Sequence, residues 1–330
     1  MAMNILFAFF PTHIPYSLGI AQLSSLCKQR GIKTHLSILS TMQDFKDKLD
    51  ASAYDYVCFS VITHLDAPRI LPFIEYAGVS GQNVLVGGTW AKWFQSPFLT
   101  CRGDGETLPD YLLNGDDRLF REEMVCEDLN ALPLPDFEMF KDHPFDRGYG
   151  LLDAVQIPYY SSRGCPHACS FCLNVLQSGG YRVRTRVEED LREITGRYGP
   201  DMVFIGDAML PYSSESWKKS WGEFRFPFFG YIRADISRED LLWLIDRGMV
   251  QTAFGVESGD EEYRNTVLNK GLTDAQLFQT VSILKKHDVG FVPFYMTGTP
   301  GETFEIRAKT WSLKNSLGGF PFLTDYQELV

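Results

Sequence analysis

The sequence has little positive charge, because 31 Lys and Arg stand against 42 Asp and Glu for a net charge of −11. Nucleic-acid surfaces need basic patches, so a nucleic-acid partner is disfavoured. The sequence also lacks an apolar run of the ~20 residues that a membrane helix needs. Its start, MAMNILFAFFP, has neither the basic region nor the cleavage site of a secretory leader. We therefore expect no membrane partner and a cytoplasmic protein with reduced cysteines.

Most of the cysteines lack a spacing pattern. Of the seven, Cys27, Cys58, Cys101 and Cys126 are scattered along the chain. Free cysteines of this kind behave as small hydrophobes, which predicts that these four are buried. The remaining three, which fall within residues 165–172, do form a pattern.

From residue 4 to about residue 115, β-type runs alternate with helical patterns. The uninterrupted apolar run YDYVCFSVIT is typical of a buried parallel strand. This alternation predicts an α/β fold with a doubly wound, Rossmann-like parallel sheet in a domain spanning residues 1–125. Ligands of such sheets lie at the carboxyl ends of the strands, here residues 11–19, 60–64, 87–90 and 103–106.

Residues 126–155, which include LPLPDF, lose this periodicity and are predicted to be a linker. The alternation then resumes, with strands predicted at residues 157–161, 202–205, 228–233, 252–256 and 290–296 and a sixth near 320–326. Repeated βα units predict a partial, TIM-like α/β barrel over residues 156–330. Its functional residues are expected at the carboxyl ends of the strands.

Cys165, Cys169 and Cys172 follow the first predicted barrel strand in SSRGCPHACSFC. Three thiolates on one loop can hold three irons of a 4Fe–4S cluster and leave the fourth open, whereas electron-transfer clusters use four cysteines. The alternative is a structural zinc site with His167 as its fourth ligand. Such sites usually combine paired CxxC spacings, which are absent, so the pattern favours a cluster that binds a further ligand.

The spacing CxxxCxxC, with Phe171 before the last cysteine, resembles the signature of radical S-adenosylmethionine (SAM) enzymes. GVESGD, LNKG and TGTPGET (residues 255–260, 268–271 and 297–303) resemble later motifs of the subgroup with a cobalamin-binding domain, the class B methyltransferase-like enzymes. LPLPDF and RGDGE (residues 102–106) resemble it too. The resemblance implies a 4Fe–4S cluster, SAM and cobalamin as cofactors. SAM would bind the open iron and be cleaved to methionine and a 5′-deoxyadenosyl radical.

The resemblance also implies SAM contacts at the ends of the barrel strands. The planar guanidinium of Arg233 suits the SAM carboxylate, although Arg233 and Glu257 could instead pair with each other. Gly298 and Gly301 could be turn residues that touch no ligand. The expected contacts are Phe171, Gly206, Asp207, Arg233, Glu257, Ser258, Met296, Gly298 and Thr299.

By the same resemblance the N-terminal sheet binds cobalamin. The DxHxxG motif that supplies a cobalt-binding histidine is absent: His13, His35, His64 and His143 all lie outside such a motif. Relatives bind cobalamin without this histidine, with loop residues such as 60–63 below the corrin. The expected contacts are Ser17, Leu18, Gly19, Ser60, Ile62, Thr63, Gly87, Gly88, Thr89, Gly105 and Glu106.

The resemblance therefore implies methyl transfer from methylcobalamin to a carbon or phosphorus centre of a small-molecule or peptide substrate, with flavodoxin or ferredoxin as electron donor. One alternative is a rearrangement or cyclisation enzyme with the same cofactors. Another is a methylthiotransferase-like enzyme, whose first domain would use three further cysteines for a second cluster. A non-catalytic barrel with a docking domain is disfavoured, since all three loop cysteines are present.

Overall fold

Two sheets of parallel strands organise the chain, one in each of two units, Met1–Phe145 and Asp146–Val330. We describe a computed structural model over residues 3–11, 16–120, 124–142, 154–176 and 179–325. His13, His143 and Tyr326, which belong to sequence-based expectations, lie outside these residues. None of the helices in the described ranges is long and apolar enough to span a bilayer.

The first unit alternates strands and helices as expected. Its strands are β1 (Asn4–Phe9), β2 (Lys33–Ile38), β3 (Tyr56–Ser60), β4 (Val84–Gly87) and β5 (Leu99–Thr100). Its helices are α1 (Leu18–Gln29), α2 (Met42–Asp50), α3 (Ala67–Val79) and α4 (Leu108–Asn114). The strands run parallel in the order β2-β1-β3-β4-β5. This confirms the doubly wound sheet and places its topological switch point between β1 and β3.

The apolar sequence of β1 is explained by burial on both faces. Leu6 and Ala8 belong to one hydrophobic cluster, whereas Ile5, Phe7 and Phe9 belong to the other. Successive strand residues point to opposite faces, so a central strand covered on both sides needs apolar residues at every position.

The described residues of the predicted linker are 126–142, which lie in the first unit, and 154–155, which lie in the second. The Asp136 N–H donates to the Ala21 carbonyl (2.9 Å), and Asp136 Oδ2 lies 2.6 Å from Lys28 Nζ. Phe140 is fully buried, with its ring 6.3 Å from that of Phe9. Loss of periodicity therefore marked the end of regular structure but not the end of the core, because an irregular segment can still bury large side chains.

The second unit contains the strands β6 (Gln156–Tyr159), β7 (Ser162–Arg163), β8 (Arg182–Val183), β9 (Met202–Ile205), β10 (Phe228–Tyr231), β11 (Met249–Glu257), β12 (Gly290–Thr297) and β13 (Phe322–Asp325). Its helices are α5 (Val187–Tyr198), α6 (Glu215–Ser220), α7 (Arg238–Asp246), α8 (Glu261–Thr266), α9 (Asp274–Lys286) and α10 (Phe304–Leu317). Six strands run parallel in the order β6-β9-β10-β11-β12-β13, which confirms the partial barrel. The short antiparallel hairpin β7–β8 was not predicted.

We expect Phe140→Ala to lower the free energy of unfolding by ~3–5 kcal/mol, because it leaves a cavity under β1. Lys141→Ala, at the exposed neighbouring position, is the matched control and should change it by less than ~0.5 kcal/mol. Chemical denaturation followed by tryptophan fluorescence measures both. Equal stability of the two variants would mean that residues 137–140 are not part of this core.

Candidate functional site

The three patterned cysteines lie on one loop, residues 164–172, between β7 and β8. Gly164 has a φ of 75°, and a Cβ there would overlap the Gly180 carbonyl, so glycine lets the two arms of the hairpin approach. Cys169 is buried, whereas Cys165 and Cys172 are half-buried, and all three are free thiols. Burial, and then the charges of Cys172 and Cys169, raise the pKa of the Cys165 thiol.

Among the described residues, no three His, Cys, Asp or Glu side chains are arranged to hold a single metal ion. A cubane cluster does not need such convergence, because each cysteine binds a different iron. The donor chemistry of the loop, three thiols with none in a disulfide, fits a cluster.

The start of the cysteine loop is held by Asp207, which follows β9. The N–H groups of Ser161 and Ser162 donate to Asp207 Oδ1 (2.8 and 2.9 Å), and the Ser161 hydroxyl donates to Oδ2 (2.5 Å). Trp217 Nε1 donates to the same hydroxyl (2.8 Å). Asp207, expected to contact SAM, thus uses both oxygens within the protein, and a Cβ at Gly206 would lie 2.6 Å from the Tyr160 ring.

The middle of the loop is held by residues 267–271, which we call the 267–271 segment. The Ser170 N–H donates to the Leu268 carbonyl (3.1 Å), and the Ser170 hydroxyl donates to Val267 O (2.8 Å). Asn269 Nδ2 donates to the Ala168 carbonyl (2.8 Å). This segment contains the LNKG motif, whose contact with the cysteine loop was not foreseen from the sequence.

Arg233 reaches the cysteine loop from the end of β10. Its Nη1 lies 3.8 Å from Cys169 Sγ, and its Nη2 donates to the Lys270 carbonyl (2.6 Å). Its ion-pair partner is Asp235, at 2.9 Å. The pairing of Arg233 with Glu257, considered from the sequence, is wrong. Asp235 lies only two residues away in the same turn and forms the ion pair with the Arg233 guanidinium instead.

Glu257, at the end of β11, pairs with Lys270 instead. Lys270 Nζ lies 2.8 Å from Glu257 Oε1, and both side chains are almost fully buried. Lys270 Nζ also lies 5.5 Å from the centroid of the Phe171 ring. Sequence reasoning did not single out Lys270, although a lysine before a glycine in a recognised motif was the available signal.

The other expected SAM contacts have the following neighbours within the protein. Phe171 and Met296 meet in one apolar cluster with Tyr263 and Leu268. The Thr299 hydroxyl bonds to Tyr263 Oη (2.7 Å), and the Gly298 N–H donates to a Glu302 carboxylate oxygen (2.7 Å). Both Gly298 and Gly301 have positive φ, 76° and 78°, as turn residues do.

Ser258 is tied to its own neighbours. Its carbonyl accepts from Arg264 Nη1 (2.8 Å), and its hydroxyl accepts from the Asp260 N–H (3.2 Å). Arg264 is fully buried and also donates to the Leu272 carbonyl (2.8 Å). It therefore joins the end of β11 to the residues that follow the 267–271 segment.

In the first unit each expected cobalamin contact ends a strand, follows a strand or lies at the start of the next helix. Ser17 caps α1, since its hydroxyl accepts from the Ile20 N–H (3.4 Å). Gly88, with a φ of 103°, lies so close to the β3–α3 loop that a Cβ would be 2.5 Å from Val61 O. The remaining expected residues lie at the same carboxyl edge, namely Leu18, Gly19, Ser60, Ile62, Thr63, Gly87, Thr89, Gly105 and Glu106.

Two features of this edge were not foreseen. Asp66 accepts from the N–H (3.1 Å) and the hydroxyl (3.0 Å) of Thr63, which fixes the loop after β3. The His64 ring lies 5.5 Å from that of Trp90, which in turn lies 5.0 Å from Trp93. The sequence showed these aromatic residues, but it did not predict that their rings pack together at the ends of the strands.

Comparison with known proteins agrees with this geometry. Residues 159–311 match the family described as the radical SAM superfamily. The chain is 26% identical to the uncharacterized methyltransferase PH0819 of Pyrococcus horikoshii over 59% of its own length and 43% of that protein, so it spans less than half of this relative.

Solved structures match over both units. The radical SAM methyltransferase TsrM of Kitasatospora setae, with cobalamin and a [4Fe-4S] cluster bound, matches with a TM-score of 0.75 at 13% identity over 98% of this chain and 72% of that one. The cobalamin-dependent SAM radical enzyme OxsB matches with a TM-score of 0.69 at 18% identity over 94% and 52%. The second unit, a parallel half barrel with three cysteines on the loop after its first strand, is similar to the radical SAM superfamily over residues 159–311. Both units have the fold of the two cobalamin-containing structures matched here.

We expect Asp207→Ala to lower the free energy of unfolding by at least ~2 kcal/mol, because it leaves buried donors of Ser161 and Ser162 without an acceptor. Asp207→Asn keeps an acceptor oxygen and should cost less. Burial raises the pKa of Asp207 from 3.8 to about 7. Because this folded-state pKa lies above the unfolded one, the contribution of Asp207 to stability falls as the pH rises from about 4 to about 7.

Asparagine does not titrate, so Asp207→Asn should not lose this contribution. Relative to the wild type, its free energy of unfolding should therefore rise by roughly 2 kcal/mol between pH 5 and pH 7. Denaturant unfolding at both pH values measures this difference. Asp201→Asn, an exposed carboxyl in the same unit, is the control. Parallel pH dependences of wild type and Asp207→Asn would contradict the assignment of this raised pKa.

Proposed function

We propose that this chain is a cobalamin-dependent radical SAM methyltransferase that acts on a small-molecule or peptide substrate. The observation that carries the proposal is the cysteine loop, which has three free thiols within residues 164–172 and has Arg233 Nη1 3.8 Å from Cys169 Sγ. When bound, the cluster supplies the electron that cleaves SAM, and cobalamin carries the methyl group. Cys165, Cys169 and Cys172 would hold the cluster.

The residues around the loop fit a bound SAM. Arg233 and Lys270 bring two positive charges to the cysteine loop, and Glu257 adds a carboxylate that can accept from hydroxyl or amino groups. Phe171 and Met296 provide an apolar wall beside them. Asp207 and the 267–271 segment would keep the loop rigid while the ligand binds.

The first unit fits a flat cofactor laid on the carboxyl edge of its sheet. The close approach of Gly88 to Val61 leaves backbone, not side chain, at the centre of this edge. Its switch point between β1 and β3 is where doubly wound sheets bind nucleotides and related ligands. No histidine ligand to cobalt is part of the proposal, since His64 lies outside the usual motif and packs beside Trp90.

The cysteines of the first unit speak against the methylthiotransferase alternative. Cys27, Cys58 and Cys101 are buried in one hydrophobic cluster. Burial raises the pKa of Cys27 to about 12 and that of Cys101 to about 11. Thiols buried in an apolar cluster in this way are typical of small core hydrophobes. Cys126, expected to be buried, is half-buried instead.

Rearrangement or cyclisation with the same cofactors is the remaining alternative. TsrM is described with a tryptophan substrate, and a small aromatic or peptide substrate is therefore included in the proposal for this chain. Flavodoxin or ferredoxin is proposed as the electron donor. Cytoplasmic localisation is part of the same proposal, because the cluster and its free thiols need a reducing compartment.

Anaerobic reconstitution with iron, sulfide and hydroxocobalamin tests the cofactors. We expect about four irons and about one cobalt per chain by metal analysis. The absorbance spectrum should show a charge-transfer band at visible wavelengths. Cys169→Ala should lose most of the iron and keep the cobalt, because its site lies in the other unit. Cys126→Ala, a half-buried thiol outside the loop, should keep both. Iron without cobalt would remove methylcobalamin from the proposal.

SAM labelled with deuterium in its methyl group separates methyl transfer from rearrangement. A methyltransferase passes label to the product, which we expect to detect by mass spectrometry of small molecules and peptides supplied to the loaded enzyme. Turnover that releases 5′-deoxyadenosine while leaving the product unlabelled would favour rearrangement.

A further inference from the structure

Lys270 and Glu257 form an ion pair with side chains that are only 8% and 9% exposed. Two charges removed from water lose hydration energy that their attraction barely repays, so such a pair contributes little to stability. The pair therefore needs a reason other than folding. None of the expectations drawn from the sequence assigns a role to Lys270.

Two departures from regular backbone and one glycine occur at this pair. Glu257 has a φ of 67°, in the left-handed region that non-glycine residues rarely adopt. The pairing of β11 with β12 shifts register between Gly255 and Glu257. A Cβ at Gly255 would overlap the Glu257 carboxylate and lie 2.5 Å from Lys270 Nζ. β11 is therefore irregular next to the ion pair, and the glycine leaves space for the two charged side chains. Irregularities of this kind, such as β-bulges, change the direction in which a side chain points.

Lys270 is also anchored to the cysteine loop through its backbone. Its carbonyl accepts from Arg233 Nη2 (2.6 Å), and Arg233 Nη1 lies 3.8 Å from Cys169 Sγ. Its N–H donates to the Arg264 carbonyl (3.1 Å). The preceding residue, Asn269, donates to Ala168 O in the loop. A shift of the cysteine loop would therefore move Lys270, and with it the Glu257 carboxylate.

We propose that Lys270 is a positioning residue that fixes the Glu257 carboxylate relative to the cysteine loop for SAM binding. Lys270 Nζ binds Glu257 Oε1, which leaves Oε2 to accept from a hydroxyl or amino group of SAM. The lysine itself does not contact SAM; it acts through Glu257. This inference rests on the proposed function, since it needs SAM as the ligand.

Equilibrium binding of SAM to the iron-reconstituted enzyme tests the proposal in wild type, Lys270→Met, Glu257→Gln and the double variant. Lys270→Met should weaken SAM binding about tenfold, because Glu257 loses its orientation. If Lys270 acts through Glu257, the double variant should bind SAM within about twofold of Glu257→Gln alone. Lys270→Arg, which keeps the charge, should recover most of the lost affinity.

Iron content is measured in each variant, so that a weaker affinity is not attributed to a lost cluster. Lys309→Met is the matched control. Lys309 makes an ion pair of similar length with Asp260 (2.6 Å) but is 63% exposed, and its loss should leave SAM affinity unchanged.

The proposal is overturned if folded Lys270→Met binds SAM within twofold of wild type, or if the losses of the two single variants add in the double variant. Lys270→Met could fail to fold because Glu257 is left as an unpaired buried charge. In that case the double variant, in which both charges are removed, is compared with Glu257→Gln. A double variant much weaker than Glu257→Gln would again overturn it. Wild-type enzyme that carries iron but does not bind SAM would refute the proposed function instead.

Discussion

The cysteine loop has almost no regular structure of its own, so the position of its three thiols depends on hydrogen bonds from elsewhere in the second unit. Asp207 binds the backbone where the loop begins, and the 267–271 segment binds it in the middle. Three like-charged thiolates would drive a free loop apart. Asp207 follows β9 and the 267–271 segment follows α8, so the loop is restrained from two different parts of the second unit.

Two of the groups that sequence reasoning expected to face the ligand make contacts within the protein instead. Both carboxylate oxygens of Asp207 accept hydrogen bonds from Ser161 and Ser162. Arg233 binds Asp235 and the Lys270 carbonyl. A polar residue at a strand end can either bind a ligand or fix its surroundings. Here most of these residues fix their surroundings. Few groups therefore remain for direct contact with a ligand, and Glu257 is the main one.

Much of the fold followed from local pattern. The alternation of strands and helices, the buried character of β1 and the position of the three cysteines after a barrel strand all depend on residues that are close in sequence. The boundary between the units was less accessible, because Phe140 and Asp136 belong to the first core through contacts with Phe9 and Ala21, more than a hundred residues earlier. The β7–β8 hairpin escaped notice because strands of two residues carry no periodicity.

The sequence by itself determined the class of chemistry, since the spacing of Cys165, Cys169 and Cys172 decides which metal centre a loop can hold. Only the tertiary structure decided the partners: Glu257 binds Lys270, thirteen residues away, and Asp207 binds Ser161, forty-six residues away. Spacing describes what neighbours along the chain can do together. Which charges meet across strand ends is set by packing, because desolvation makes every buried ionic group take whichever partner the fold brings within reach.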